Sequence, residues 1–146
     1  MSAILCNRMQ TLGSKYTART PEVQEAYDRH RTELWDLYGD NPPCPFCEPG
    51  KREIIEQTTA MLVVKNDFPY ESFDGQTILQ HLMIVPRRHI ALLEDFSLDE
   101  EREYWQLMAV HHKEGFSSLT RSAIDTFRSV PEHLHTHLFF YLPEEA

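Results

Sequence analysis

The chain has 146 residues, of which 41% are hydrophobic and 25% charged, and a formal net charge of −9 at pH 7. This length suits one domain with a hydrophobic core of its own. The acidic balance argues against general nucleic-acid binding, which needs a basic surface, but a few placed cations can still hold a small anionic ligand. No apolar run approaches the length of a membrane span.

The N-terminus and the cysteines indicate the compartment. Residues 1–8 carry a short apolar patch with no basic stretch before it, which is not typical of a signal peptide. The chain has three cysteines, and two of them form a Cys-x-x-Cys motif. An odd number with this spacing fits a reducing cytoplasm better than a disulfide framework. We therefore expect a cytoplasmic protein.

Residues 21–38 predict an amphipathic helix. Thr20-Pro21 is typical of a helix N-terminus, because proline is tolerated at the first helical position, and Gly39 to Pro43 ends the helix. We assign residues 1–43 to an N-terminal helical extension and 44–146 to the main domain. The helix either packs on the surface of that domain or covers a site or a partner. We favour the first, because amphipathicity reports only packing.

The motif Cys44-Pro-Phe-Cys47 is compatible with two kinds of site. A glutaredoxin-like redox site requires a helix directly after the motif, whose N-terminus stabilises the thiolate. Pro49 and Gly50 disfavour a helix at that point. The alternative is a metal knuckle, in which tetrahedral zinc takes two further ligands from elsewhere in the chain. A pair of unmetallated thiols also remains open.

The middle of the chain predicts strands and one long helix. Strands are expected at 54–58, 60–64 and 78–85, with an insertion at 71–77 that turns at Asp74-Gly75. Ser97 and Glu100 form a capping box that opens a helix over 98–113. Residues 118–127 are expected to hold a strand or parts of one. The side chains available for the buried side of the helix are Leu98, Tyr104, Trp105, Leu107, Met108 and Val110.

Three histidines alternate in a segment that favours a strand. On a strand, His133, His135 and His137 share one face, and the opposite face, which includes Leu134 and Leu138, is predicted core. Imidazoles in such a row indicate a metal site or a nucleophilic histidine. The less specific alternative is a surface strand with incidental histidines.

Three segments resemble the histidine-triad (HIT) superfamily of nucleotide hydrolases and nucleotidyl transferases. His133-Leu-His-Thr-His-Leu-Phe139 resembles its signature, with Thr136 at a position that is usually apolar. Residues 80–90 are similar to its upstream strand and turn, and Cys44-Pro-Phe-Cys47 matches its zinc-bearing branch. The resemblance implies an α+β fold, an antiparallel sheet with packed helices, usually paired into a homodimer.

The resemblance also implies the roles of the site residues. His135 is the nucleophile that forms a nucleotidyl-histidine, and His137 and His81 donate to the phosphate oxygens. A backbone carbonyl is expected to fix the tautomer of His135, because no motif carboxylate is evident. A structural zinc ion would be bound by Cys44, Cys47, His89 and His133. The residues expected to contact the nucleotide are Asn66 at the ribose, Phe68 at the base, and Ser129 and Arg128 at the phosphate.

The chain departs from the common family pattern before the triad. Residues 125–132 lack the glycine-rich turn, so Arg128 would replace backbone donors with a cation. The third histidine favours hydrolysis over transfer, since the related uridylyltransferases carry glutamine there. We therefore predict hydrolysis of a nucleoside phosphoanhydride or phosphoramidate. The alternatives are a nucleotidyl transferase, a non-catalytic nucleotide-binding module, or a catalytic metal bound by the triad itself.

Overall fold

The computed structural model describes residues 19–47 and 52–143. Within these ranges the elements form an open sheet of six strands with two α-helices, in agreement with the predicted α+β class. A short 3-10 helix at Leu93–Asp95 precedes the second α-helix. In chain order the elements are α1 (Pro21–Tyr38), β1 (Ile54–Gln57), β2 (Met61–Lys65), β3 (Ser72–Phe73), β4 (Gln76–Pro86), α2 (Leu98–Glu114), β5 (Ser117–Leu119) and β6 (Thr136–Tyr141).

The sheet has the strand order β1-β2-β4-β6-β5. The β1–β2, β2–β4 and β5–β6 pairs are antiparallel. β3 pairs with the start of β4 as a hairpin, and Asp74 and Gly75 turn it with φ of 52° and 73°. Positive φ at both central residues is typical of a tight hairpin turn, so the turn predicted in the 71–77 insertion is confirmed.

The two faces of the sheet carry different clusters. One cluster joins side chains of β2, β4 and β6 to Tyr104 and Leu107 of α2. The other joins the alternate side chains of β2 and β4 to Phe46, in the Cys-x-x-Cys motif. Because successive residues of a strand point to opposite faces, His137 of β6 lies on the face away from α2. His133 and His135 contact the Phe46 ring of the second cluster and so lie on the same side. This alternation agrees with the prediction from the sequence.

Both helices have the predicted N-termini. The Thr20 hydroxyl accepts from Val23 N at 3.2 Å, and Pro21 opens α1. In α2 the capping box of Ser97 and Glu100 is formed in both directions, and Gly115 ends the helix with a φ of 108°. These local signals need no tertiary partner, which explains why the sequence predicted both helices to within one residue.

The predicted buried side of α2 was wrong in part. Leu98, Trp105 and Val110 are 80%, 70% and 51% exposed. A helix against one face of a sheet buries a single stripe of side chains, and here that stripe runs through Tyr104, Leu107 and His111. The His111 ring is accommodated because its Nδ1–H donates to the carbonyl of Leu107 at 2.7 Å. His111 thus has a structural role in α2.

The triad strand begins later than predicted. β6 starts at Thr136, so His133 and His135 precede the paired strand. The backbone there is fixed by a different partner, because Leu134 N donates to the carbonyl of Ile90 at 2.7 Å. Of the strand expected over 118–127, only β5 at Ser117–Leu119 is formed.

The chain divides into two compact units. Within the described residues, one unit comprises 19–43, 68–79 and 141–143, and the other comprises 44–47, 52–67 and 80–140. The assignment of 1–43 as an extension and 44–146 as a domain stays a prediction. In the described ranges, neither α-helix is both long enough and apolar enough to cross a bilayer.

Candidate functional site

Two cysteines and two histidines converge beside the triad. The distances are 3.3 Å between Cys44 Sγ and His133 Nδ1, and 3.1 Å between Cys47 Sγ and His89 Nδ1. The two imidazole Nδ1 atoms are 3.2 Å apart. All four ligand atoms lie within 4.8 Å of one another. Cys44, Cys47, His89 and His133, here called the Cys2His2 cluster, could therefore hold a metal ion.

The donor set fits a tetrahedral ion. With metal–sulfur bonds of about 2.3 Å and metal–nitrogen bonds of about 2.0–2.1 Å, neighbouring ligand atoms lie roughly 3.3–3.8 Å apart. His133 Nε2–H donates to the carbonyl of Pro86 at 2.8 Å, so its Nδ1 presents a lone pair to the cluster. Burial, the largest cause, lowers the pKa of His133 and so favours this neutral form. The chemistry of all four residues thus suits a cation.

His135 lies between this cluster and the triad strand. Its Nδ1–H donates to the backbone carbonyl of His133 at 3.0 Å, which is the carbonyl acceptor expected from the sequence. The Nε2 atom then carries the lone pair. Burial, with smaller contributions from Arg128, His133 and Arg52, lowers the pKa of His135 to about 4. The imidazole is therefore neutral at pH 7 and has a free electron pair at Nε2.

A second pair of histidines lies on the same face of the sheet. His81 Nε2 and His137 Nδ1 are 2.9 Å apart, and Asn66 Nδ2 lies 3.3 Å from the same His81 nitrogen. The backbone reinforces this arrangement, because Asn66 N donates to the carbonyl of His81 at 3.0 Å. The ring centroids of His135 and His137 are 5.2 Å apart. Three histidines and one amide thus form one polar group on the sheet.

Comparison with solved structures identifies this architecture. A histidine triad protein from Clostridium difficile is 19% identical with a TM-score of 0.52, over 73% of this chain and 96% of that one. A HIT family hydrolase from Clostridium thermocellum is 19% identical with a TM-score of 0.53, over 71% and 95%. The chain has the histidine-triad fold. At this identity the likeness shows the fold alone.

Other comparisons add little to the histidine-triad assignment. A hypothetical protein from Leishmania major is 19% identical with a TM-score of 0.55, over 70% of this chain and 75% of that one. No protein-family model matches the sequence. No curated protein matches it either. The assignment therefore rests on three-dimensional similarity and on the histidines themselves.

The histidine-triad fold puts two predicted phosphate residues in different surroundings. Arg128 is buried, and its Nη2 donates to the carbonyl of Ala91 at 2.7 Å. It lies close enough to His135 for its charge to lower the pKa of that histidine. Ser129 is exposed in a bend before the triad. The phosphate roles of both residues stay predictions.

Phe68, the predicted base contact, packs on α1. Its ring centroid is 5.2 Å from that of Tyr27 and 5.3 Å from that of His30. Its carbonyl accepts from Arg19 Nε at 2.7 Å, and the Arg19 guanidinium also lies 4.3 Å from the Tyr27 ring centroid. The prediction that Phe68 contacts a base stays a prediction. The structure adds that helix α1 supports the loop which carries Phe68.

Sequence reasoning missed two residues beside His135. The Phe46 ring, between the two cysteines, has its centroid 4.9 Å from that of His135 and 5.6 Å from that of His133. The Arg52 guanidinium lies 4.7 Å from the centroid of the same Phe46 ring. The position of Phe46 inside the motif was a usable signal. Arg52 had none, because it lies outside every motif and only the fold brings it to the site.

Proposed function

We propose that this protein hydrolyses a nucleoside 5′-phosphoanhydride or phosphoramidate through a nucleotidyl intermediate on His135. The observation that carries the proposal is the bond from His135 Nδ1–H to the carbonyl of His133 at 3.0 Å. It leaves Nε2 unprotonated, and the lowered pKa keeps the ring neutral at pH 7. A neutral, oriented imidazole is an effective nucleophile toward phosphorus. The similar Clostridium thermocellum structure is named as a HIT family hydrolase.

In the first step, the Nε2 electron pair of His135 attacks the phosphorus next to the nucleoside. A nitrogen–phosphorus bond forms, and the bond from phosphorus to the leaving oxygen or nitrogen breaks, with its electron pair going to the leaving group. His137 supports this step. His81 Nε2 faces the Asn66 amide donor and therefore accepts, so His137 Nδ1–H donates to it across 2.9 Å. When the His137 ring carries its second proton on Nε2, that proton is available to a phosphate oxygen or the leaving atom.

In the second step, water replaces the histidine. The water oxygen bonds to phosphorus, the nitrogen–phosphorus bond breaks, and its electron pair returns to His135 Nε2. The proton released by water goes to the group that protonated the leaving atom, so the site returns to its starting state. The products are a nucleoside monophosphate and the leaving group. Asn66, which contacts His81, is proposed to bind the ribose, Phe68 the base, and Ser129 and Arg128 the phosphate.

Zinc is the metal that we propose for the Cys2His2 cluster. Two thiolates and two imidazoles are the usual ligands of structural zinc, and four protein ligands leave no open position for water. When bound, the ion would stabilise the segments that carry Cys44, Cys47, His89 and His133. Because the His133 carbonyl accepts from His135, a fixed His133 also fixes the nucleophile.

The decisive experiment compares wild type with His135→Ala. Diadenosine tetraphosphate and adenosine 5′-phosphoramidate are incubated with each protein, and AMP release is followed by chromatography. Wild type should turn over at least one substrate, and the variant should lose at least about 10⁴-fold, because the nucleophile is absent. His112→Gln is the matched control, since His112 is exposed and bonded to Ser118. Acid quenching during turnover should trap a labelled nucleotidyl-protein in wild type.

A nucleotide-binding module is the second candidate. It is favoured by the exposed position of Ser129 and by the absence of glycine in residues 125–132. AMP binding without turnover of either substrate, in zinc-loaded protein, would establish this role instead. Transfer to a second substrate would be detected as a nucleotidylated acceptor in place of AMP.

We further propose a homodimer in the cytoplasm. The exposed face of α2 carries Trp105 and Val110, and β5, next along the chain, lies at an edge of the sheet. Apolar side chains beside an open strand edge are suited to pairing with a second copy. Light scattering should give the dimer mass for wild type and the monomer mass for Trp105→Glu. Cys44 and Cys47, placed as metal ligands and not as a disulfide, fit a reducing compartment.

A further inference from the structure

Arg52, at the edge of the site, is a mostly buried cation whose guanidinium has no short hydrogen bond to an acceptor among the described residues. Only about 15% of its side chain is exposed, and burial, the largest cause, lowers its pKa. Its Nε–H reaches the carbonyl of Pro45 at a long 3.4 Å, and Nη1 is 3.7 Å from Asp67 Oδ2. The second distance exceeds hydrogen-bond range. Nη2 has no hydrogen-bond acceptor among the described residues.

The neighbouring arginines differ from Arg52. Arg88 binds both oxygens of Glu100, at 2.7 and 3.2 Å, and Arg87 donates to Gln57 at 2.9 Å and to the carbonyl of Thr58 at 3.0 Å. Their guanidinium groups form short hydrogen bonds within the protein and stabilise the folded structure. A desolvated guanidinium without such bonds gains most from an anion that enters later. Of Arg52, Arg87 and Arg88, only Arg52 has such a guanidinium.

The position of Arg52 points to the substrate. Its guanidinium rests on the Phe46 ring, and that ring packs on His135. The Phe46 ring thus lies between the Arg52 guanidinium and the proposed nucleophile. Arg128, which is carried by another loop, is held instead by the carbonyl of Ala91.

We propose that Arg52 binds negative charge on the substrate beyond the phosphate that His135 attacks. The inference rests on the proposed nucleotide site and deepens it. The attacked phosphate carries about one charge, which His137, His81 and Arg128 can meet. A second cation in a protein of net charge −9 matches a substrate with more than one phosphate. Arg52 would then determine specificity for nucleotides with a phosphate chain over those with a single phosphoryl group.

The test measures binding of AMP, ADP and ATP, which share base and ribose and differ in charge. Calorimetry is carried out on the full, zinc-loaded chain. Wild type should bind ATP more tightly than AMP. In Arg52→Gln, ATP affinity should fall by about tenfold or more, the usual effect of losing a charged hydrogen bond, while AMP affinity changes by less than about threefold. Arg52→Lys, which restores the charge, should recover part of the loss.

Two controls separate charge recognition from damage. Arg87→Gln removes the same charge from an exposed position and should leave both affinities unchanged. Zinc content is measured in every variant, because Arg52 lies near Cys44. Equal losses for AMP and ATP, or no loss at all in Arg52→Gln, would overturn the proposal. So would wild type that fails to bind any of the three nucleotides.

Turnover distinguishes this inference from the proposed function. If wild type hydrolyses diadenosine tetraphosphate and adenosine 5′-phosphoramidate, Arg52→Gln should raise KM for the first substrate only. If wild type hydrolyses neither substrate, the hydrolase proposal fails, but the ratio of ATP to AMP affinities still tests Arg52. A loss of hydrolysis in His135→Ala with a normal ratio of ATP to AMP affinities would show that this variant keeps its binding site and lacks only the nucleophile.

Discussion

The hydroxyl oxygen of Tyr104 on α2 lies 2.9 Å from the hydroxyl oxygen of Thr136, the residue between His135 and His137. Thr120 completes a triangle, 2.7 Å from Thr136 and 3.3 Å from Tyr104. Three hydroxyls can satisfy one another when each donates once and accepts once. The triangle therefore ties α2 to the strand of the third histidine and explains a threonine at a usually apolar position.

Thr136→Val should destabilise the protein although it preserves the shape of the side chain. Tyr104 and Thr120 would keep only their 3.3 Å contact, so we expect a loss of about 1–2 kcal/mol in the free energy of unfolding. Urea denaturation measures it. The exposed Thr32→Val is the control and should cost less than about 0.5 kcal/mol. Tyr104→Phe combined with Thr136→Val should cost less than the sum of the two, and strict additivity would refute the network.

Local signals made the helices and the histidines predictable. Thr20-Pro21 and the Ser97–Glu100 capping box act within one turn of backbone, so they work without knowledge of the fold. The alternation of His133, His135 and His137 likewise specifies which side chains share a face. The four metal-ligand candidates could be named only through the family resemblance, because Cys44 and His133 are 89 positions apart.

Features that depend on packing could not be predicted. Trp105 was expected inside, but the side of α2 that meets the sheet is decided by the contacts of Tyr104 and Leu107. Phe68 packs on Tyr27, although nothing in either segment indicates the other. Arg52 reaches the site through the Phe46 ring, which is a relation of three-dimensional structure only. These relations require knowledge of which segments become neighbours.

Gly115→Ala should destabilise the protein more than a glycine substitution in an open turn. Gly115 has a φ of 108°, and an added Cβ would lie 3.0 Å from the Phe140 ring. We expect a loss of about 2–3 kcal/mol, from backbone strain and the displaced ring together. Gly75→Ala is the matched control, because its φ of 73° is strained but no atom lies within 4 Å. Equal losses in urea denaturation would show that the Phe140 contact is irrelevant.

Protonation of Glu100 should lower the stability of the protein in acid. The hydrogen bond from Arg88 is the largest cause that lowers the pKa of Glu100. A carboxyl with a lowered pKa in the folded state stabilises the protein above its unfolded pKa of about 4.3, and this stability is lost as pH falls below that value. Arg88→Gln should therefore be less stable than wild type at pH 7, and the difference should shrink toward pH 3.

Urea denaturation at pH 7, 5, 4 and 3 measures this difference. Arg87→Gln is the control for a lost surface charge, because Arg87 contacts Gln57 and Thr58 and no carboxylate among the described residues. The difference in free energy of unfolding between Arg87→Gln and wild type should not shrink between pH 5 and pH 3. A difference between Arg88→Gln and wild type that stays constant over this range would exclude Glu100 as the titrating group.

Removal of metal should destabilise the protein through the Cys2His2 cluster. An ion that binds only the folded state, at a free concentration 1,000 times its dissociation constant, adds about 4 kcal/mol. Chelation should therefore lower the thermal midpoint of wild type, and added zinc should restore it. Cys47→Ser and His89→Ala should lose zinc, measured by mass spectrometry, and their midpoints should no longer respond to chelator. His112→Gln should behave as wild type, and full zinc content in Cys47→Ser would refute this ligand set.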